Sequence, residues 1–154
     1  MPRQQWRSGH DAKLRAMPKD LSDEFKRHAR FLIDTFSREL GVTLRYDAES
    51  VEYLDGYIAR NRAGIREKTD GRYGGVVDTI GSFLGECIIA NFGGQWKQSG
   101  TGAWGVYFDD KNAVFPFVKV EKALGPEGEF DSIASFYSLS KLVRDGKLSP
   151  DGSS

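Results

Sequence analysis

The chain has 154 residues, enough for one domain with a sizeable core. Hydrophobic residues make up 39% and charged residues 29%, a globular rather than a disordered composition. Its 22 Lys and Arg balance 22 Asp and Glu, so net charge supplies no general attraction to nucleic acid.

Residues 1–19 carry Arg3, Arg7, Lys13, Arg15 and Lys19 against one acid, Asp11, and lack a clear period. They read as a flexible basic arm, with no apolar stretch of the kind a secretory signal needs. The domain is expected over 20–145, with a polar tail over 146–154.

A helix follows over 21–40, where Phe25, Ala29, Leu32, Phe36 and Leu40 repeat at helical spacing. Asp20 or Ser22 can cap it and Gly41 can end it. VTLRY, 42–46, is β-prone and too short to choose between a strand and an extended link. Asp47 can cap a second helix over 48–62, with Val51, Leu54 and Ile58 facing inward. Gly56 weakens that helix by roughly 1 kcal/mol relative to Ala, which suggests a close helix crossing there. The stretch AGIREKTDGRYGG then reads as a loop.

The next helix, from about Val76 to Phe92, is apolar over a wide arc. Asp78, Ser82 and Glu86 form a narrow polar stripe along it, which predicts a buried helix meeting solvent at one edge. Gly81 and Gly85 beside that stripe would admit a close backbone neighbour. Gly93-Gly94 ends it. Three strands are expected at 95–98, 103–108 and 113–118, turning at SGTG and DDKN. Pro116 suggests an edge strand or a bend. Residues 119–124 are a short helix or a strand tail. Asp131 can cap a last helix with Ile133, Phe136, Leu139 and Val143 on its apolar side. The fold class is therefore α+β: N-terminal helices, a central buried helix, a small antiparallel meander and a C-terminal helix in one domain.

GSFLGECI, FGGQW, Pro116 with Lys119 to Lys122, and DSIASFY together resemble a group of small bacterial domains. That group shares an LGE helix, a Trp-bearing strand and a Pro-containing strand. The resemblance spans Val76 to Tyr137, and Gly85, Glu86, Trp96 and Pro116 match its pattern. It implies a fold more than a function, since that uncharacterised group has no assigned catalytic activity. By analogy it implies kinship with the immunity partners of bacterial toxins.

Candidate chemistry is sparse. Glu86 is a candidate partly buried carboxylate with Asp78 the nearest acid, but eight residues of helix separate them by about 12 Å. A structural role for Glu86 is therefore favoured over general acid–base work. Cys87 lies in the apolar arc and reads as a core residue rather than a nucleophile. One Cys and two His exclude the usual Cys/His zinc sites. No phosphate-loop or dinucleotide motif is present, so no cofactor is expected. Arg60, Arg62, Arg66, Lys68 and Arg72 make a local basic segment, but neighbouring acids offset it and nucleic acid is disfavoured as a partner.

The sequence thus points to a non-enzymatic, cytoplasmic protein-binding module without a membrane span, of the immunity type, that occludes a toxin. Candidate contact residues are Glu49 and Glu52 on the second helix, Tyr73 as an exposed aromatic, and Asp109 and Asp110 at the hairpin tip. The alternatives are a small enzyme built on Glu86 and Asp78, and a nucleic-acid binder using 60–72.

Overall fold

A computed structural model describes residues 20–148. The expected basic arm and most of the polar tail, 149–154, lie outside these residues.

Helix α1, Ser22–Leu40, buries Phe25, Ala29, Leu32 and Phe36 along one stripe. Asp20 Oδ1 accepts the Ser22 N–H at 2.9 Å before its first turn. Gly41, at φ 65°, closes the other end by donating to the last turn, a left-handed cap that glycine adopts without cost to a Cβ. The link 42–46 forms no strand. It is anchored instead by buried Leu44, and by Tyr46 packed on Phe83 with ring centroids 5.4 Å apart.

Helix α2, Ala48–Thr69, starts where Asp47 Oδ1 accepts the Ser50 N–H at 2.8 Å. It runs through residues expected to be a loop. Ala63 and Ile65 to Lys68 are adequate helix formers, and Gly64 alone does not stop them. The stop comes at Asp70, at φ 56°. Gly56 marks no close crossing, since a Cβ there would meet only the flexible Arg60 guanidinium of its own helix.

Helix α3, Val76–Phe92, is the centre of the molecule. It packs against α1, α4, Pro116–Leu124, and α5, Ile133–Arg144. Every position from Ile80 to Ile88 is buried. The polar stripe therefore does not follow a solvent edge: Asp78 is exposed, but Ser82 is fully enclosed and Glu86 nearly so. The two glycines receive rings, not a backbone. A Cβ on Gly81 would collide with Phe117 and one on Gly85 with the Trp96 indole.

Strands β1, Gln95–Gln98, β2, Trp104–Tyr107, and β3, Ala113–Val114, form an antiparallel meander in that order. Trp96 pairs with Val106, which pairs in turn with Val114. The third strand is cut short because Pro116 opens α4. Its missing N–H and fixed φ suit the first helical position, so proline starts a helix here and does not mark a strand edge.

A short 3-10 turn, Gly128–Phe130, leads into α5. The cap of α5 is Ser132, not Asp131. Ser132 Oγ accepts the Ser135 N–H and donates to Asp55 Oδ2 at 2.8 Å, while Asp55 Oδ1 accepts the Ile133 N–H at 3.0 Å. Asp131 instead pairs with Lys119 at 2.8 Å. With Ile133 pinned inward, the buried stripe continues through Tyr137, Ser140 and Val143. Leu139 consequently faces out. Arg62 Nε donates to the Ala123 carbonyl at 2.6 Å and ties α2 to α4.

Candidate functional site

One concave region opens against the central helix and another lies between the last strand and the last helix. The first is a cleft of about 660 Å³ between the start of α1, the end of α3 and β1. Glu86 and Ile89 supply its α3 side, Trp96 and Trp104 its sheet side, and Asp20 and Lys26 the α1 side. Glu86 retains only 8% exposure and its Oε2 accepts the Trp96 indole N–H at 2.8 Å. Trp96 is held in turn by Phe25, 4.6 Å away, and by Phe117, stacked at 5.4 Å. Trp104 meets Phe25 edge-on at 5.5 Å. Aromatic walls thus surround a carboxylate.

Among the described residues no second ionisable side chain is hydrogen-bonded or ion-paired to Glu86. Asp78, its expected companion, does not line the cleft. Cys87 is fully buried. Burial, with the Asp47 and Glu86 charges adding to it, pushes its thiol far above the ordinary range. A thiol so placed is a poor nucleophile. No group of three or more metal-ligating side chains occurs among the described residues.

The second region is a groove of about 560 Å³ between β3, α4, the 3-10 turn and α5. Its lining includes three exposed large apolar side chains: Phe130 at 78%, Leu139 at 45% and Val118 at 42%. Phe115, Phe136 and Leu148 continue the apolar wall. The Lys119–Asp131 pair supplies charge of both signs.

The acids expected at a contact surface are dispersed. Glu49 and Glu52 are exposed on α2, and Asp109 and Asp110 at the β2–β3 turn. No packed interface joins α2 to the sheet. Asp109 builds its own turn: Oδ1 accepts the backbone N–H of Lys111 and of Asn112, both at 2.8 Å. Bonds from Asn112 and Lys111 hold its carboxyl below the ordinary range. Asp110 lies 3.8 Å from Lys97. Tyr73 is half-buried against the core, at φ 62°, with its N–H bonded to Thr69 Oγ1 at 2.8 Å. The basic 60–72 segment is divided too, because Arg62 is committed to Ala123 and the Arg60 guanidinium lies 5.8 Å from the Tyr53 ring.

The groove residues escaped sequence reasoning in instructive ways. Leu139 fitted a helical stripe one position out of phase, and Val118 sat in an expected strand. Phe130, which the sequence reading passes over, carries a signal: an aromatic side chain in GPEGEF, outside any apolar period, has no core face to join.

No helix among the described residues is long and apolar enough to cross a membrane. Comparison with protein-family models, curated proteins and solved structures gives no match.

Proposed function

We propose that the chain is a non-enzymatic protein-binding module that receives an apolar segment of a partner protein in the groove between α4 and α5. The observation that carries this reading is the convergence of Phe130, Leu139 and Val118, all substantially exposed, on one groove. Scattered exposed apolar residues need no explanation, but a contiguous set beside a concavity marks a contact surface. Phe130 is the natural anchor, since large aromatics in the centre of a patch dominate binding energies.

The finer reading is an immunity-type protein of the bacterial cytoplasm whose partner is a toxin held inactive by steric cover. It draws support from the resemblance of Val76 to Tyr137 to an uncharacterised group of small bacterial domains, and from the analogy between such domains and immunity proteins. The exposed acids Asp109 and Asp110 adjoin the groove along the chain, since their turn leads into Val114 on its wall. They would steer a basic cleft toward it.

The test is a comparison of two baits in lysate of the native cells, the unmodified chain and a Phe130→Asp, Leu139→Asp variant. Both positions are exposed, so the variant should fold, as circular dichroism would report. A stoichiometric protein retained by the first bait and lost from the second supports the module. Toxicity of that protein when expressed alone supports the finer reading. Equal retention by both baits, or none by either, removes the groove reading.

A further inference from the structure

We propose that the Glu86 cleft is a second binding site, independent of the α4–α5 groove, and that it takes an alkylammonium group. None of the groove's lining residues lines the cleft. Glu86 keeps 8% exposure as a residue and lines the cleft, and charges largely withdrawn from water are compensated in proteins by a counter-charge or several hydrogen bonds. Glu86 has one hydrogen bond, from the Trp96 indole, and no ion pair among the described residues.

The two lysines of the cleft are directed elsewhere. Lys97 Nζ lies 3.8 Å from Asp110 and 5.5 Å from the Tyr107 ring centroid. Lys26 is exposed on the rim, where its charge acts on Asp20. Neither is within ion-pair distance of Glu86. The compensation that the described residues leave incomplete is supplied by a ligand entering the cleft.

The class of cation follows from the donor geometry. Trp96 already bonds Oε2, so a guanidinium bridging both oxygens would have to share that oxygen with the indole. A compact ammonium, which needs one oxygen, suits what remains. Trp96, Trp104 and Ile89 give its alkyl stem apolar walls, and the two indoles favour a nearby cation over a neutral head. The ammonium can belong to a free primary amine or to a lysine side chain of a peptide.

Full-length protein labelled with nitrogen-15 would be titrated with n-butylammonium chloride while the indole N–H resonances of Trp96 and Trp104 are followed, with n-butanol as the neutral control. The proposal expects a saturable shift of the Trp96 resonance with the amine and none with the alcohol. It also expects affinity to fall at least about tenfold in Glu86→Gln, the loss of one charge-assisted bond. Should that variant not fold, Lys26→Glu on the exposed rim should tighten binding by adding negative charge at the mouth. Titration with acetyl-Gly-Lys-Gly-amide separates the sources, since tighter binding of the peptide assigns the ammonium to a lysine side chain and tighter binding of butylammonium to a free amine. No saturable shift, an equal response to n-butanol, full affinity in folded Glu86→Gln, or no gain in Lys26→Glu would overturn the site.

Discussion

The Trp96 indole N–H and Glu86 Oε2 meet at 2.8 Å, joining the first strand to the central helix through a buried acid and a partly buried indole. Each partner depends on the other, because an indole donor or a carboxylate buried alone loses its water without replacement. Trp96→Phe keeps most of the ring and removes the donor, so it should cost about 2–3 kcal/mol. Glu86→Gln retains an oxygen that can accept the same bond and should cost about 1 kcal/mol. Urea unfolding of the two variants measures this. A glutamine variant as unstable as the phenylalanine variant would mean that the charge, not the bond, holds the pair. Retention of a partner at the α4–α5 groove should be unchanged in Glu86→Gln.

The glycines of α3 and α2 should respond to alanine with opposite signs. At Gly85 a Cβ would lie within the space of the Trp96 ring, which Phe25 and Phe117 already hold, so Gly85→Ala should destabilise by about 1–3 kcal/mol. At Gly64, exposed inside α2, a Cβ meets nothing within 4 Å. Gly64→Ala should therefore stabilise by about 0.5–1 kcal/mol, through helix propensity and a less flexible unfolded chain. Thermal midpoints moving in the same direction would refute the contrast.

These two positions show what the sequence carried and what it did not. Gly81 and Gly85 beside a polar stripe announced close packing, but nothing local could say that an indole and a phenyl ring would fill the space. The starts and stops set by Asp47, Gly41 and Gly93 were legible, because capping is local chemistry. Pro116 was ambiguous, since the same fixed φ serves a strand edge and the first turn of a helix. The rotation of α5 was illegible. Asp55, 78 residues before Ile133, anchors the first turn of that helix, and a one-position shift puts Tyr137 and Ser140 in the core in place of Phe136 and Leu139. The groove followed from that exchange, and Glu86 was recognised without its tryptophan partner for the same reason: the bond crosses elements.

Cys87 should make stability fall in mild alkali. Its thiol is held protonated in the fold, chiefly by burial, while in the unfolded chain it ionises near about pH 8.5. Above that pH the unfolded state binds fewer protons than the native one, so raising the pH favours unfolding. The contribution is intact below about pH 8.5 and is lost at up to about 1.4 kcal/mol per pH unit beyond it. Tyr46 and Tyr137, also raised mainly by burial, add to the fall only near and above about pH 10. Urea unfolding of the wild type and Cys87→Ala between these values isolates the thiol: the wild type should lose stability more steeply, and equal slopes would contradict the burial argument. The native thiol should also resist alkylation until the chain unfolds.

Asp55 controls the groove at a distance. Its two oxygens take the Ser132 hydroxyl and the Ile133 N–H, so it pairs a first-turn amide that no intrahelical carbonyl can reach and ties the start of α5 to α2. Asp55→Ala should cost about 1–2 kcal/mol as a lost cap and release the first turn of α5. Asp55→Asn keeps one accepting oxygen and should cost less. Hydrogen exchange at the amides of Ile133 and Ser135 should quicken in the alanine variant while the α3 amides remain protected. Because Phe130, Ser132 and Phe136 line the groove on either side of that cap, partner retention should weaken with the same variant, even though Asp55 does not itself line the groove. Unchanged exchange at Ile133 would show that packing of Ile133 alone, without the carboxylate, sets the register of α5.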